Sequence, residues 1–333
     1  MSLLSSFDPH EWDRYGFAIG GILVLALAAL PFVTENSYLT GLVFTTVMFV
    51  TLASSWNLLS GYTGYISFGH VAFFGIGGYS SAILFTDAGL NLYVALLGGG
   101  LFATVVSLPV AAATIRLSDV YFSIIMLAFA ELMLQVAVTL DITGGTQGKV
   151  LPIGDYELVT YELMLALAVA TVLTSYLVVR SYFGLTLSAI HDDEEAASSV
   201  GLNTTWYKIG AFVLSAIFPA IAGGIAAIYW LYINPSTMFA VTTSGDMMIM
   251  SVIGGMGTVI GPILGAALMT PVRAETQAAY PFFHGIVFGL LFMLLVLTVP
   301  NGLVSVFGKS NRLDGIVRRL RSPDDTATEG RDD

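Results

Sequence analysis

The sequence predicts an all-α polytopic membrane protein, and three observations carry that prediction. Of its 333 residues, 56% are hydrophobic and only 11% are charged, whereas a soluble globular chain carries about 25% charged residues. Apolar runs of about 20 residues, the length a helix needs to cross a bilayer, recur along the whole chain. Gly, Ala, Ser and Thr interrupt those runs, as at Gly75, Gly77 and Gly78 and at Gly223 and Gly224. Small residues let helices approach closely in a packed bundle, which a simple anchor would not need.

The elements follow in order. Residues 15–33 form the first run, ended by Pro31 and the polar TENS, and 39–59 form the second. Residues 64–86 are rich in Gly and aromatics; 91–114 and 119–140 follow. The stretch DITGGTQGKVLPIGDYE is too long and polar for a tight turn. Residues 160–179 are the sixth run, and the charged connection 180–208 leads to the seventh, 209–231. Apolar stretches 245–270 and 282–306 close the series. Residues 1–14 do not read as a signal peptide, because Asp8, Glu11 and Asp13 stand where one would be basic. Residues 307–333 make a charged tail.

The Lys/Arg bias sets orientation. With Arg14 inside, Arg116, Arg180 and Lys208 also fall inside and Lys149 outside. Nine spans would put Lys309, Arg312, Arg318, Arg319, Arg321 and Arg331 outside, against the rule. The run GGMGTVIGPILGA, residues 254–266, offers the remedy, since clustered Gly and Pro262 break a helix. Ten membrane segments within 15–306 then leave both termini cytoplasmic, in a multi-pass protein of the cell membrane. The second piece of the broken run is expected to be short, as a partial or re-entrant span.

Composition also excludes chemistries. No Cys means no disulfide, thiolate nucleophile or Cys-ligated metal. A net charge of −11 disfavours a nucleic-acid partner. Gly75, Gly77 and Ser80 miss the last Gly of GxGxxG, and no phosphate-binding GxxxxGK[ST] or HExxH occurs. The chain therefore binds no cofactor of its own in this reading and is not an enzyme. Any driving energy must come from ion coupling or from a separate ATPase.

Broken, Gly-rich backbone at membrane depth is tolerated only inside protein or beside a cavity, which points to transport. The candidate substrate pathway is Asn57, Gly61, Gly64, Ser67, His70, Glu131, Gly254 and Gly257. Each has a plainer reading. The glycines could serve helix packing, and His70 could be satisfied by a neighbour rather than relay protons. Glu131 lies deep in a span with Gln135 one turn on; both are expected to face the bundle, because a carboxylate in hydrocarbon is costly. Asp119 and Asp246 read as interfacial or capping residues and His284 as interfacial. In the loop 189–212, Asp192, Asp193, Glu194 and Glu195 favour a helix start. Ala196 and Ala197 extend it and Gly201 stops it, giving a short helix over 192–200 suited to docking a cytoplasmic partner.

At these residues the chain resembles the permeases of branched-chain amino-acid ABC importers, the LivM family, which includes urea and amide permeases. The resemblance spans residues 40–305 and rests on four ordered stretches: NLLSGYTGYISFGHVAFFGIGGYSSAIL (57–84), TGGTQGKVLPI (143–153), the loop 189–212 and GGMGTVIGPILGA (254–266). Lys149 stands where the family usually has Leu, and His191 where it has Arg. The resemblance implies a type II ABC importer permease bundle with broken helices. It implies a sister permease, two cytoplasmic ATPase subunits that bind ATP and Mg, and an extracellular substrate-binding protein. Glu195, Ala196, Ala197 and Gly201 would form the ATPase-coupling element. Cargo would be branched-chain or other neutral amino acids, or urea and amides. Without the resemblance, an ion-coupled secondary transporter of small polar solutes stays open.

Overall fold

The computed structural model describes residues 14–34 and 36–280, with a few positions between 285 and 304. In chain order the helices are α1 (Arg14–Val33), α2 (Ser37–Thr63), α3 (His70–Thr86), α4 (Leu92–Thr114), α5 (Asp119–Thr139) and α6 (Glu157–Arg180). They continue with α7 (Tyr182–Asp192), α8 (Glu194–Ser199), α9 (Thr204–Trp230), α10 (Pro235–Met238), α11 (Val241–Gly255) and α12 (Ile260–Ala279). Among the described residues six stretches are long and apolar enough to cross a membrane: α2, α4, α5, α6, α9 and the α10–α11 pair. The all-α, polytopic expectation holds. The apolar run 282–306, His284, and the termini 1–14 and 307–333 lie wholly or mostly outside the described residues.

Helix ends form where the sequence supplies caps. Asn36 Oδ1 accepts from the N–H groups of Tyr38 and Leu39, Asn91 from Val94, and Asn203 from Trp206. Each satisfies a donor that has no partner inside its helix. Gly64 ends α2 with φ +81° and donates its N–H to Ser60 O at 3.1 Å. A residue without Cβ adopts that left-handed conformation without strain.

The centre of the bundle is α2, α9 and α3. A Cβ on Gly77 would lie 2.0 Å from Ala220 O, and one on Gly223 would lie 1.9 Å from Phe74 O. Helices α3 and α9 therefore meet backbone to backbone. Gly75 and Gly78 admit the side chains of Phe239 and Met238 in the same way. The packing reading accounts for this glycine series. Of the six long apolar stretches α9 is the most buried and α5 the least.

At the end away from α8, the polar stretch after α5 folds into two short 3-10 turns, Asp141–Thr143 and Gly145–Gln147. It then forms a strand, β1 (Lys149–Val150), which pairs antiparallel with β2 (Tyr232–Ile233), Lys149 opposite Ile233. Two-residue strands carry no detectable alternation, so this ribbon was not legible in advance. Lys149 Nζ lies 2.7 Å from an Asp87 carboxylate oxygen and holds that carboxyl below the usual carboxylate range.

The run 245–270 is indeed broken, at residues 256–259, but its pieces differ from expectation. The second piece, α12, is a full 20 residues and the first, α11, is 15. Arg273 and Glu275 lie in α12, past the expected end of the run at residue 270. They are accommodated because Arg273 pairs with Asp246 of α11 and Glu275 accepts from Tyr38 Oη at 2.7 Å. Asp246 is accordingly buried inside α11, not an interfacial cap.

Candidate functional site

The predicted pathway residues sort into three places. Asn57, Gly61, Gly254 and Gly257 meet at the α11–α12 turn. Ser251 Oγ donates to Ala53 O at 2.9 Å, so α11 runs along α2 and delivers the turn to Asn57. There Asn57 Nδ2 donates to Thr258 O and Asn57 Oδ1 accepts from Gly257 N, each at 2.8 Å. A Cβ on Gly61 would lie 2.9 Å from Gly257 N, and one on Gly254 would lie 1.7 Å from Gly261 O. The turn is filled and clamped: these residues sit against backbone, not against open space.

Gly64, Ser67 and His70 belong to the second break, the elbow 64–69 between α2 and α3. Trp56 Nε1 donates to Ser67 O at 2.8 Å. Ser55 Oγ bonds Ser215 O, tying α2 to α9 at the same level. His70, fully buried, lies 2.8 Å from Ser67 Oγ through Nδ1 and 3.0 Å from Ser215 Oγ through Nε2. Ser215 gives its own proton to Phe212 O, so Nε2 carries the hydrogen and Nδ1 accepts from Ser67. Both ring nitrogens are committed, which is the geometry of a structural pin rather than of a proton relay.

The elbow also touches two other elements. Ser123 Oγ of α5 donates to Ile66 O at 2.6 Å, and a Cβ on Gly69 would overlap Met126 of α5. On its other side, Tyr65 Oη donates to Glu194 Oε2 of α8 at 2.7 Å. The buried Lys208 ammonium of α9 completes the group, 3.0 Å from Tyr65 Oη and 2.5 Å from Glu194 Oε1. The same ammonium lies 4.5 Å from the Tyr65 ring centroid, a cation–π contact. Burial pushes the Glu194 carboxyl up, but the bonds from Lys208 and Tyr65 outweigh it and hold the carboxyl below its ordinary value. Sequence reading missed this group, although the isolated Lys208 at the head of an apolar run was its one visible signal.

Glu131 stands apart from both breaks, and its placement corrects the expectation that it faces the bundle. Its carboxylate is exposed on the outer side of α5, where Gln135 Nε2 donates to it at 3.2 Å. The buried side of this helix is taken by Met126 and Ala130, which pack against the elbow and the start of α3. Thr139, further along α5, and Thr242 of α11 are exposed too.

The charged connection holds two helices. The acids start the second of them: Asp193 caps α8 by accepting from Ala196 N at 2.9 Å, and Gly201 ends the segment with φ +89°. The preceding α7 was not expected. Glu195, Ala196, Ser198 and Ser199 are exposed and Val200 is 78% exposed, with Trp206 nearby at 69%. Ala197 is a correction. It is buried against the chain itself, so it supports α8 from beneath and does not present a surface to a partner.

A family described as branched-chain amino acid transport system, permease component, matches residues 38–297. The chain belongs to this family. Among its relatives is the high-affinity branched-chain amino acid transport system permease protein LivM of Escherichia coli strain K12, 26% identical over 91% of this chain and 77% of that one. LivM of Salmonella typhimurium is 26% identical over 85% of this chain and 73% of its own length. LivH of Salmonella typhimurium, a permease protein of the same description, is 26% identical over 77% of this chain and 92% of its own length. No solved structure matches. Membership in this permease family and the six long apolar stretches identify a multi-pass membrane transport subunit. The all-α bundle with its two breaks is therefore a permease fold.

Proposed function

We propose that the chain is the membrane-spanning subunit of an ATP-driven importer for branched-chain or other neutral amino acids, with urea or amides as the alternative cargo. ATP and Mg bind on two cytoplasmic ATPase subunits, a sister permease completes the membrane unit, and an extracellular protein delivers the substrate. Both termini lie on the cytoplasmic side with α8. The observation that carries this reading is the α7–α8 projection. It ends in the six-residue α8, capped at its start and backed by Ala197, whose outer surface of Glu195, Ala196, Ser199 and Val200 is exposed among the described residues. Relatives named both LivM and LivH in one organism support a pair of related permeases.

The outer face of α5 is the side turned to the sister permease and the substrate path. A carboxylate at the centre of a span costs about 2.5–3.5 kcal/mol against lipid on insertion scales, so Glu131 and Gln135 call for a polar or protein cover.

The test is co-purification of the ATPases with the permease pair. Val200→Asp is expected to lose them while the thermal unfolding of the chain is unchanged. Retention of the ATPases by that variant would sink the docking surface. Uptake of radiolabelled leucine should require ATP and survive collapse of ion gradients. Loss of uptake with the gradient alone would restore the ion-coupled alternative, and competition by urea but not by isoleucine would move the cargo.

A further inference from the structure

Docking an ATPase on α8 moves substrate only if displacement of α8 reaches the transmembrane helices, and among the described residues Glu194, Lys208 and Tyr65 make a polar connection of that kind. We propose that Glu194, Lys208 and Tyr65 form a transmission latch: positioning residues through which movement of α8 is passed to the elbow 64–69 and from there to α5. The proposal rests on the docking reading above.

The geometry has three parts. First, the latch is a closed ring of bonds. Lys208 donates to both Tyr65 Oη, at 3.0 Å, and Glu194, at 2.5 Å, and Tyr65 donates to the second Glu194 oxygen at 2.7 Å. The neighbouring helices α8 and α9 are thereby joined at one point to the elbow, which is more than a hundred residues away in sequence. Charge-assisted bonds of this kind are the stronger ones, and a buried ammonium has no water to replace a lost partner.

Second, the end of α7, which leads into α8, also sits on the elbow. His191, just before α8, lies with Nδ1 3.2 Å from where a Cβ of Gly64 would be, so Gly64 leaves room for the imidazole. Third, the elbow is gripped from the opposite side by α5, through the Ser123 bond to Ile66 O and an edge contact between Tyr65 and Phe122 at 5.4 Å. Glu131 lies two turns further along the same helix. Of the six long apolar stretches α5 is the least buried, so it has little packing to break when it moves.

Tyr65→Phe deletes one hydroxyl while keeping the ring that packs on Lys208 and Phe122, so the chain should fold. Glu194→Gln removes the charge and keeps the shape. In the assembled importer both variants should retain the ATPases and hydrolyse ATP. Leucine transported per ATP hydrolysed should fall by roughly 5- to 150-fold, the range of an ordinary coupling between sites. A purely structural role would lower the amount of folded protein and leave that ratio alone.

The chain has no Cys, so spin labels at Ser198→Cys, outside the docking surface, and Ile66→Cys report the α8–elbow distance without background. One narrow distance is expected with and without ATP, and a broad one in Tyr65→Phe. With ATPases bound, either an unchanged transport ratio or an unchanged distance distribution in Tyr65→Phe overturns the latch alone. Failure of the unmutated chain to hold the ATPases overturns the docking reading, and the latch with it.

Discussion

The two breaks in the bundle look alike in sequence and are held in different ways. At the α11–α12 turn, glycine backbone lies against glycine backbone, Asn57 bonds Gly257 N and Thr258 O, and Thr258 Oγ1 joins Gly255 O to Gly261 N. At the elbow 64–69, side chains from four surrounding elements hold the segment: Trp56 and Ser123 bond its backbone, Glu194 the Tyr65 hydroxyl and, through His70, Ser215 the Ser67 hydroxyl. Backbone contacts are either present or lost, because a Cβ-free surface has nothing to rotate. Side-chain contacts can be exchanged one at a time. The turn is thus suited to stay fixed and the elbow to move, although both carry clustered glycines.

The sharpest way to break this comparison is at the turn. Gly254→Val would drive a branched side chain into the backbone of Gly261. A loss of more than about 3 kcal/mol is expected, since no side chain can yield. The measure is the yield of monodisperse protein in detergent. A well-folded Gly254→Val protein would show that the turn has slack.

At the elbow, His70→Phe keeps a ring but leaves the Ser67 hydroxyl without its acceptor. One stranded buried donor costs about 1–3 kcal/mol. The protein should fold, unfold at a lower temperature, and lose uptake more than stability. Unchanged uptake would mean that the elbow does not need its pin.

A smaller effect separates the latch from the rest of the elbow. Folding lowers the Glu194 value, so its contribution is complete above the unfolded value and disappears as pH falls through the folded one. Thermal stability should therefore hold from neutral pH down to the ordinary Glu value of about 4.3 and decline below it. Glu194→Gln should flatten part of that decline. The carboxylate is partly solvated, so screening keeps the contribution below about 1 kcal/mol. An identical acid limb in the variant would remove Glu194 from the account.

The smallest expected change is that of Glu131→Gln. The side chain is exposed in the single chain, so stability should shift by no more than about 0.5 kcal/mol. Uptake is the informative readout, because the α5 face matters only once a second permease is present. A large loss of stability in the isolated chain would mean that Glu131 is packed after all.

Much of this was legible in the sequence, and what was not has a physical cause. Clustered glycines and Pro262 announced the break at 256–259, whereas the elbow 64–69 fell inside a run read as one span and was expected only from the family resemblance. Asp193 and Gly201 bracketed α8, since capping is a local matter. The latch was hidden because Tyr65 and Lys208 are 143 residues apart, and no local pattern encodes such a contact. Ala197 and Ala196 are chemically identical neighbours, and a six-residue helix is too short to show which one faces inward. The outward turn of Glu131 was missed because burial cost excludes lipid without distinguishing the chain's own bundle from that of a neighbour. Asp246 was misplaced because its partner, Arg273, lay beyond the point where the segment seemed to end.

The backbone contact between α3 and α9 also bears on how the protein is made. Phe74 meets Gly223, which is synthesised roughly 150 residues later; at about 5–20 residues per second that interval is roughly 7–30 s. During it, the glycine face of α3 has entered the membrane without the helix that covers it. The bundle's centre therefore closes late, when α9 leaves the translocation machinery, and a chain arrested before Asn203 should leave that face open. Phe74→Cys, buried in the finished protein, should react readily with a small maleimide in such an arrested chain and slowly in the full one. Equal protection in both would mean that another helix covers α3 in the interval. Assembly of this permease is thus paced by translation, with its most intimate contact among the last to form.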